Sequence, residues 1–135
     1  MIRFDVLGTP VTQGSTKAFV VGKRAIVTHD KRKPLMDWRG DIAHAAGEAA
    51  GGQFAPAGVP VVVQAQFRLQ KPQSTPKRIT DQTKKPDLDK LTRSLLDALK
   101  GKVYADDSQV VRLDIGKRFA RPDEAPGVFV EVWWE

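Results

Sequence analysis

Two pairs of carboxylates stand in an otherwise basic chain. Asp87 and Asp89 lie within Lys84-Lys85-Pro86-Asp87-Leu88-Asp89-Lys90-Leu91, and Asp106 and Asp107 within Ala105-Asp106-Asp107-Ser108. Two unit charges of one sign about 4 Å apart repel by roughly 4 kcal/mol at an effective dielectric near 20, so gathering carboxylates requires a cation or a proton. All-oxygen donors suit a hard divalent ion such as Mg²⁺. Around them, 22 Lys and Arg against 16 Asp and Glu leave a formal charge of +6, which favours a polyanionic partner. Together these features describe a magnesium site facing DNA.

Each element of that site also has a plainer reading. One aspartate of the first pair can cap a helix and face the positive end of its dipole; capping explains the second poorly. Arg93 lies four residues after Asp89 and four before Asp97, so the three share a helical face. They form either a surface ion-pair ladder or a cation placed to meet a phosphate beside Asp89 and stabilise its charge during cleavage. Asp106-Asp107-Ser108 reads equally as an ordinary turn or as the third arm of the site. The latter requires the following strand to carry Asp107 back to the helix start.

The elements that must position these residues follow from periodicity. Ile2 to Leu7 reads as a strand, and Gly8-Thr9-Pro10 with Gln13-Gly14-Ser15 as a loop. Ala18 to Val21 and Arg24 to Thr28 read as a hairpin turning at Gly22-Lys23. Trp38, Ile42, Ala45, Ala46 and Ala49 recur at helical spacing and predict a helix over 35–50, ended by Gly51-Gly52, with Trp38 in the core. Val59 to Leu69 alternates as a long, half-exposed strand. Residues 70–85, rich in proline and carrying Lys71, Lys77, Arg78, Lys84 and Lys85, read as a mobile basic loop that lacks the apolar residues to offset its ordering entropy. A second helix starts at the aspartates, buries Leu91, Leu95, Leu96 and Leu99 and ends at Gly101. Two strands close the chain, around Val111–Ile115 and Val128–Trp134. The order β-β-β-α-β-α-β-β predicts a single α+β domain over 1–135, a mixed sheet with two main helices packed against it.

With Lys85-Pro86-Asp87-Leu88-Asp89, Leu95-Leu96-Asp97-Ala98-Leu99 and Asp106-Asp107-Ser108-Gln109-Val110 in that order, the chain resembles the RusA family of Holliday junction resolvases. The resemblance is tightest over Lys84 to Val111. It implies a homodimeric, magnesium-dependent endodeoxyribonuclease, with Mn²⁺ as a substitute ion, that binds four-way and related branched DNA and nicks two opposing strands. It also implies Asp87, Asp89 and Asp107 as metal ligands, Asp97 as a fourth acidic motif position, and Arg93 where the family has an essential lysine. Lys90 stands where the family usually has Asn. Lys71, Lys77, Arg78, Lys84, Lys85 and Lys90, with Lys17, Lys23 and Arg24 of the first loop and hairpin, are the expected DNA-binding cations.

Composition narrows the rest. With no cysteine there are no disulfides, thiolate zinc sites or thiol nucleophiles, which fits a reducing cytoplasm. His29 and His44 sit in unrelated segments and read as surface or packing residues. Neither a targeting segment nor a membrane helix is expected. Two rival readings remain: a non-catalytic branched-DNA binding protein on the same scaffold, and a structural domain whose aspartates only cap and pair at the surface.

Overall fold

The computed structural model describes all residues except 15, 22, 23, 30 and 31, and only the backbone of 16–21, 24–29 and 32. Its elements run β1 (Ile2–Leu7), β2 (Thr16–Val21), β3 (Arg24–His29), α1 (Arg32–Ala50), β4 (Val61–Leu69), α2 (Leu88–Leu99), a 3-10 turn (Asp107–Gln109), β5 (Val110–Phe119) and β6 (Gly127–Trp133). The main sheet has the order β1-β6-β4-β5. β6 pairs antiparallel with both β1 and β4, whereas β4 and β5 are parallel. β2 and β3 form a separate antiparallel ribbon; Gly22 and Lys23, the expected turn, lie outside the described residues. This is the α+β mixed sheet with two helices that the periodicities predict.

Alternation selects the buried face. Ile2, Phe4 and Val6 of β1, Val61, Val63, Ala65 and Phe67 of β4, and Val128, Val130 and Val132 of β6 join one core with the helices. Helix α1 contributes Trp38, Ile42, Ala46 and Ala50 at four-residue intervals; it begins three residues before the predicted start, and Ala49 is exposed while Ala50 is buried. Proline is tolerated in a first helical turn, so Pro34 does not oppose the earlier start. Gly51 and Gly52 end α1 with φ of 55° and 92°, a conformation that disfavours other residues. Leu91, Leu95 and Leu99 of α2 are fully buried, with Leu96 partly so.

The opposite face of the sheet mixes Val62, Phe129 and Trp133 with polar residues that cross-link it. Arg68, only 7% exposed, donates to both carboxylate oxygens of Asp5 at 2.8 and 3.1 Å and to the carbonyl of Ala125 at 3.1 Å. Its guanidinium crosses Gly127, where a Cβ would stand 2.7 Å from Arg68 Nη2 and 2.1 Å from the carbonyl oxygen of Val6. Arg118 makes a similar paired contact with Glu124, at 2.6 and 2.8 Å. No helix among the described residues is long and apolar enough to cross a membrane.

Because β4 and β5 are parallel, the chain must return between them to the edge where it began, and α2 makes that return. Its end is therefore near the beginnings of β4 and β5. There Ala55 N–H donates to the Val103 carbonyl at 2.9 Å, and Gln109 Nε2 donates to the carbonyls of Pro56 and Val59 at 2.8 and 3.1 Å. Its start is near their far ends, where Lys117 Nζ donates to the carbonyls of Lys84 and Pro86 at 2.7 and 2.9 Å. This polarity decides which candidate residues can meet.

Candidate active site at the start of helix α2

Asp87 occupies the N-cap position of α2, with φ −71° and ψ 136°, but its side chain makes no capping hydrogen bond. The capping explanation thus fails for the residue in the capping position. Its backbone carbonyl accepts from Leu91 N–H at 3.1 Å, starting the helix, while its carboxylate faces Lys90 Nζ at 3.5 Å. Asp89 lies in the first turn and is exposed. Two carboxylates therefore flank the positive end of a helix dipole, Asp87 facing Lys90 and spending none of its side chain on the cap.

A cleft of about 1180 Å³ opens beside them, lined by Asp87, Lys90, Arg93, Gln13, Lys84 and Phe119 among others. Its walls are the segment 9–14 and the loop 70–86. The first wall is bound to α2: Gln13 N–H donates to the Lys90 carbonyl at 3.1 Å, buried Ser94 Oγ donates to the Val11 carbonyl at 2.9 Å, and Gln13 Nε2 donates to Asp97. Gly14 brings its backbone so near Arg93 that a Cβ there would lie 2.7 Å from Nη1. Among the described residues no ion pair joins Arg93 to Asp89 or Asp97, so the plainer reading of a surface ion-pair ladder is not met. Gln13 takes Asp97 instead, and the exposed Arg93 guanidinium is held at the cleft.

The second wall holds the basic loop. It has no helix or strand, yet Lys71 Nζ donates to the Lys77 carbonyl at 3.1 Å and lies 5.8 Å from the centre of the Phe119 ring. Phe119 N–H donates to the Thr80 carbonyl at 3.0 Å. Lys77, Arg78, Lys84 and Lys85 are exposed. Lys23 lies outside the described residues, as do the side chains of Lys17 and Arg24. On α1, His44 is an exposed surface residue 4.0 Å from Glu48; the His29 side chain is outside the described residues.

Asp107 is not at this end. It opens the 3-10 turn that follows α2, and among the described residues no three of His, Cys, Asp and Glu are grouped as a metal site. The expectation that the following strand carries Asp107 back to the helix start is corrected. Asp107 precedes β5 and so stays with the helix end, whereas the far end of β5 makes the return and delivers Lys117.

At the helix end Asp106 is structural, whereas Asp107 is exposed. Asp106 accepts from Ser108 N–H and Oγ–H, Gln109 Oε1 accepts from Asp106 N–H, and Lys100 Nζ is 3.0 Å from Asp106. The hydrogen bond from Ser108, then that from Lys100, holds the Asp106 carboxyl down at about 2. The same pairing raises the Lys100 ammonium above its ordinary range. Tyr104 is buried, donates to the Leu96 carbonyl at 2.7 Å, and is pushed upward by burial and then by the charges of Asp107, Asp97 and Asp106. Sequence reasoning missed this capping box, although Asp106-x-x-Gln109 is its signature. It also missed Gln13 and Lys117, for which no spacing pattern offered a signal.

The structure is a basic α+β domain with an aspartate pair at a helix start, Asp87 making no capping hydrogen bond, beside a cation-lined cleft. The family model for endodeoxyribonuclease RusA matches residues 8–133, and the chain belongs to that family, which implies an endonuclease that resolves Holliday junctions. Among curated proteins none matches the sequence.

Proposed function

We propose that the chain is a Mg²⁺-dependent, structure-selective endodeoxyribonuclease, working as a homodimer in the cytoplasm, that resolves four-way junctions and related branched DNA by paired symmetric nicks during recombination and repair. The observation that carries this reading is the Asp87–Asp89 pair, placed at the N-terminus of α2 with no capping hydrogen bond from Asp87. Two carboxylates side by side fit a hard cation, and they adjoin a cleft edged by Lys84, Lys90 and Arg93.

One chain offers two such donors together, and Asp107 at the far end of the same helix. A twofold dimer in which the two α2 helices run antiparallel sets the end of one beside the start of the other, so Asp107 of the partner subunit completes the ligand set. The ion, when bound, supplies Lewis-acid activation of the scissile phosphate and of the attacking water. Arg93 binds the phosphate through its fixed fork of donors and opposes the charge that grows on it. Lys84, Lys85, Lys77 and Arg78 hold the flanking backbone without reading bases.

The test is nicking of a synthetic four-way junction with Mg²⁺ or Mn²⁺, repeated with EDTA and with Asp107→Asn. Both controls are expected to abolish paired cuts; unchanged nicking in either refutes the assigned site. Junction affinity is also expected to fall steeply with salt, by a slope near −0.9 per phosphate neutralised.

One observation favours a silent junction binder. Lys90, 3.5 Å from Asp87, competes with a metal for that carboxylate. Lys90→Asn separates the readings: as an enzyme the variant needs less Mg²⁺ for half-maximal nicking, whereas a silent binder retains DNA and cuts nothing.

A further inference from the structure

Strand β5 breaks its own pattern at one residue. Val111, Leu113, Ile115 and Phe119 take alternate positions along it, and Lys117 stands among them, opposite the fully buried Phe67 of β4. A period of two calls for an apolar residue at that position, and departures of this kind concentrate at functional sites. Among the described residues no carboxylate pairs with Lys117. Its ammonium is directed instead at neutral oxygens: the carbonyls of Lys84 and Pro86 at 2.7 and 2.9 Å, and Gln82 Oε1 at 3.2 Å. Gln82 completes the set, because its Nε2 donates to the Lys85 carbonyl at 2.8 Å and its Oε1 accepts from Lys84 N–H at 2.8 Å.

Residues 82–87 form neither helix nor strand, so no ladder partner fixes their backbone groups. Two side chains do so. They engage the consecutive carbonyls of Lys84, Lys85 and Pro86, and the next carbonyl, that of Asp87, accepts from Leu91 N–H and begins α2. The Asp87 side chain makes no capping hydrogen bond, and its charged neighbour Lys90 stands 3.5 Å away. The backbone entering Asp87 therefore governs where its carboxylate points. A ligand constellation functions only when held to within about 0.5 Å of its working geometry. We propose that Lys117 and Gln82 are positioning residues for the Asp87–Asp89 pair, setting the direction of the Asp87 carboxylate through the carbonyls of residues 84–86 without being metal ligands themselves. The inference rests on the metal reading proposed above and adds two residues on which that site depends.

The test is calorimetric titration with Mn²⁺ alone, free of DNA, of the wild type, Lys117→Met, Gln82→Ala and the double variant. Removing a group that orients a metal ligand weakens affinity by about tenfold to a hundredfold, and a loss of at least about tenfold is expected for each single variant. Gln82→Ala changes no charge, so its loss reports position rather than electrostatics. The double variant is expected to match the weaker single variant, since both act through one set of carbonyls. Circular dichroism checks that each variant is folded; if Lys117→Met does not fold, Gln82→Ala carries the test. A folded variant that binds Mn²⁺ as tightly as the wild type makes the network a contact of the fold only and overturns the proposal, as does a double variant in which the two losses multiply. A wild type that binds no Mn²⁺ overturns the metal reading and this inference with it, whereas a wild type that binds, with variants that bind equally, overturns this inference alone.

Discussion

The two ends of α2 both carry acidic residues close in sequence, and Asp106 and Asp87 are used in opposite ways. At the C-terminal end Asp106 is bound by Ser108 and Lys100, within a capping box closed by Gln109. At the N-terminal end Asp87 is in the capping position yet caps nothing, and Asp89 is exposed. A carboxylate satisfied by its own backbone has been spent on stability. One left beside a cation-lined cleft has been kept for a ligand.

The sharpest way to break this contrast is at the N-terminal end. Asp89→Asn should lower junction nicking by a factor of about 100 to 1000, the range for removing one preorganised electrostatic group, while leaving the thermal midpoint nearly unchanged. If the midpoint falls substantially as well, Asp89 is structural and the two ends are alike. Arg93→Ala should follow with a loss of about tenfold or more, and Arg93→Lys should recover part of it, since charge survives but the guanidinium geometry does not.

The C-terminal end should answer in stability. Tyr104→Phe removes the hydrogen bond to the Leu96 carbonyl, which keeps the Lys100 N–H, and should cost about 0.5–1.5 kcal/mol in denaturant unfolding, with nicking per folded molecule unaltered. The smallest effect concerns acid. Folding lowers the Asp106 carboxyl from 3.8, and that of Glu124 from 4.5, to about 2 each. The unfolded chain therefore takes up these protons first, and the stability they supply is complete above about pH 4.5 and lost as pH falls toward 2. Asp106→Ala should flatten the stability profile across that window. An unchanged profile would show that the contacts at the helix end do not favour the charged form.

Much of this arrangement was legible in the residues. The alternation of Val61, Val63, Ala65 and Phe67 and the spacing of Leu91, Leu95 and Leu99 identified β4 and α2, because burial of one face imposes a period. Asp87 and Asp89 at a helix start were equally visible. The position of Asp107 was misread because spacing along the chain does not say which end of a helix a neighbouring strand begins at; the parallel pairing of β4 and β5 settles that, and it is a long-range property. The Gln13–Asp97 contact joins residues 84 positions apart, a closure that no local pattern encodes.

Lys117 qualifies what the basic character of the chain means. An ammonium group has three protons to donate, and Lys117 directs its donors to Gln82 Oε1 at 3.2 Å and to the carbonyls of Lys84 and Pro86 at 2.7 and 2.9 Å. Its hydrogen-bonding capacity is filled, so it anchors the loop in the way a staple would and contributes only distant attraction to nucleic acid. Counting cations in the sequence therefore overstates the number of backbone phosphates this surface can engage, and the measured counterion release should fall short of that count.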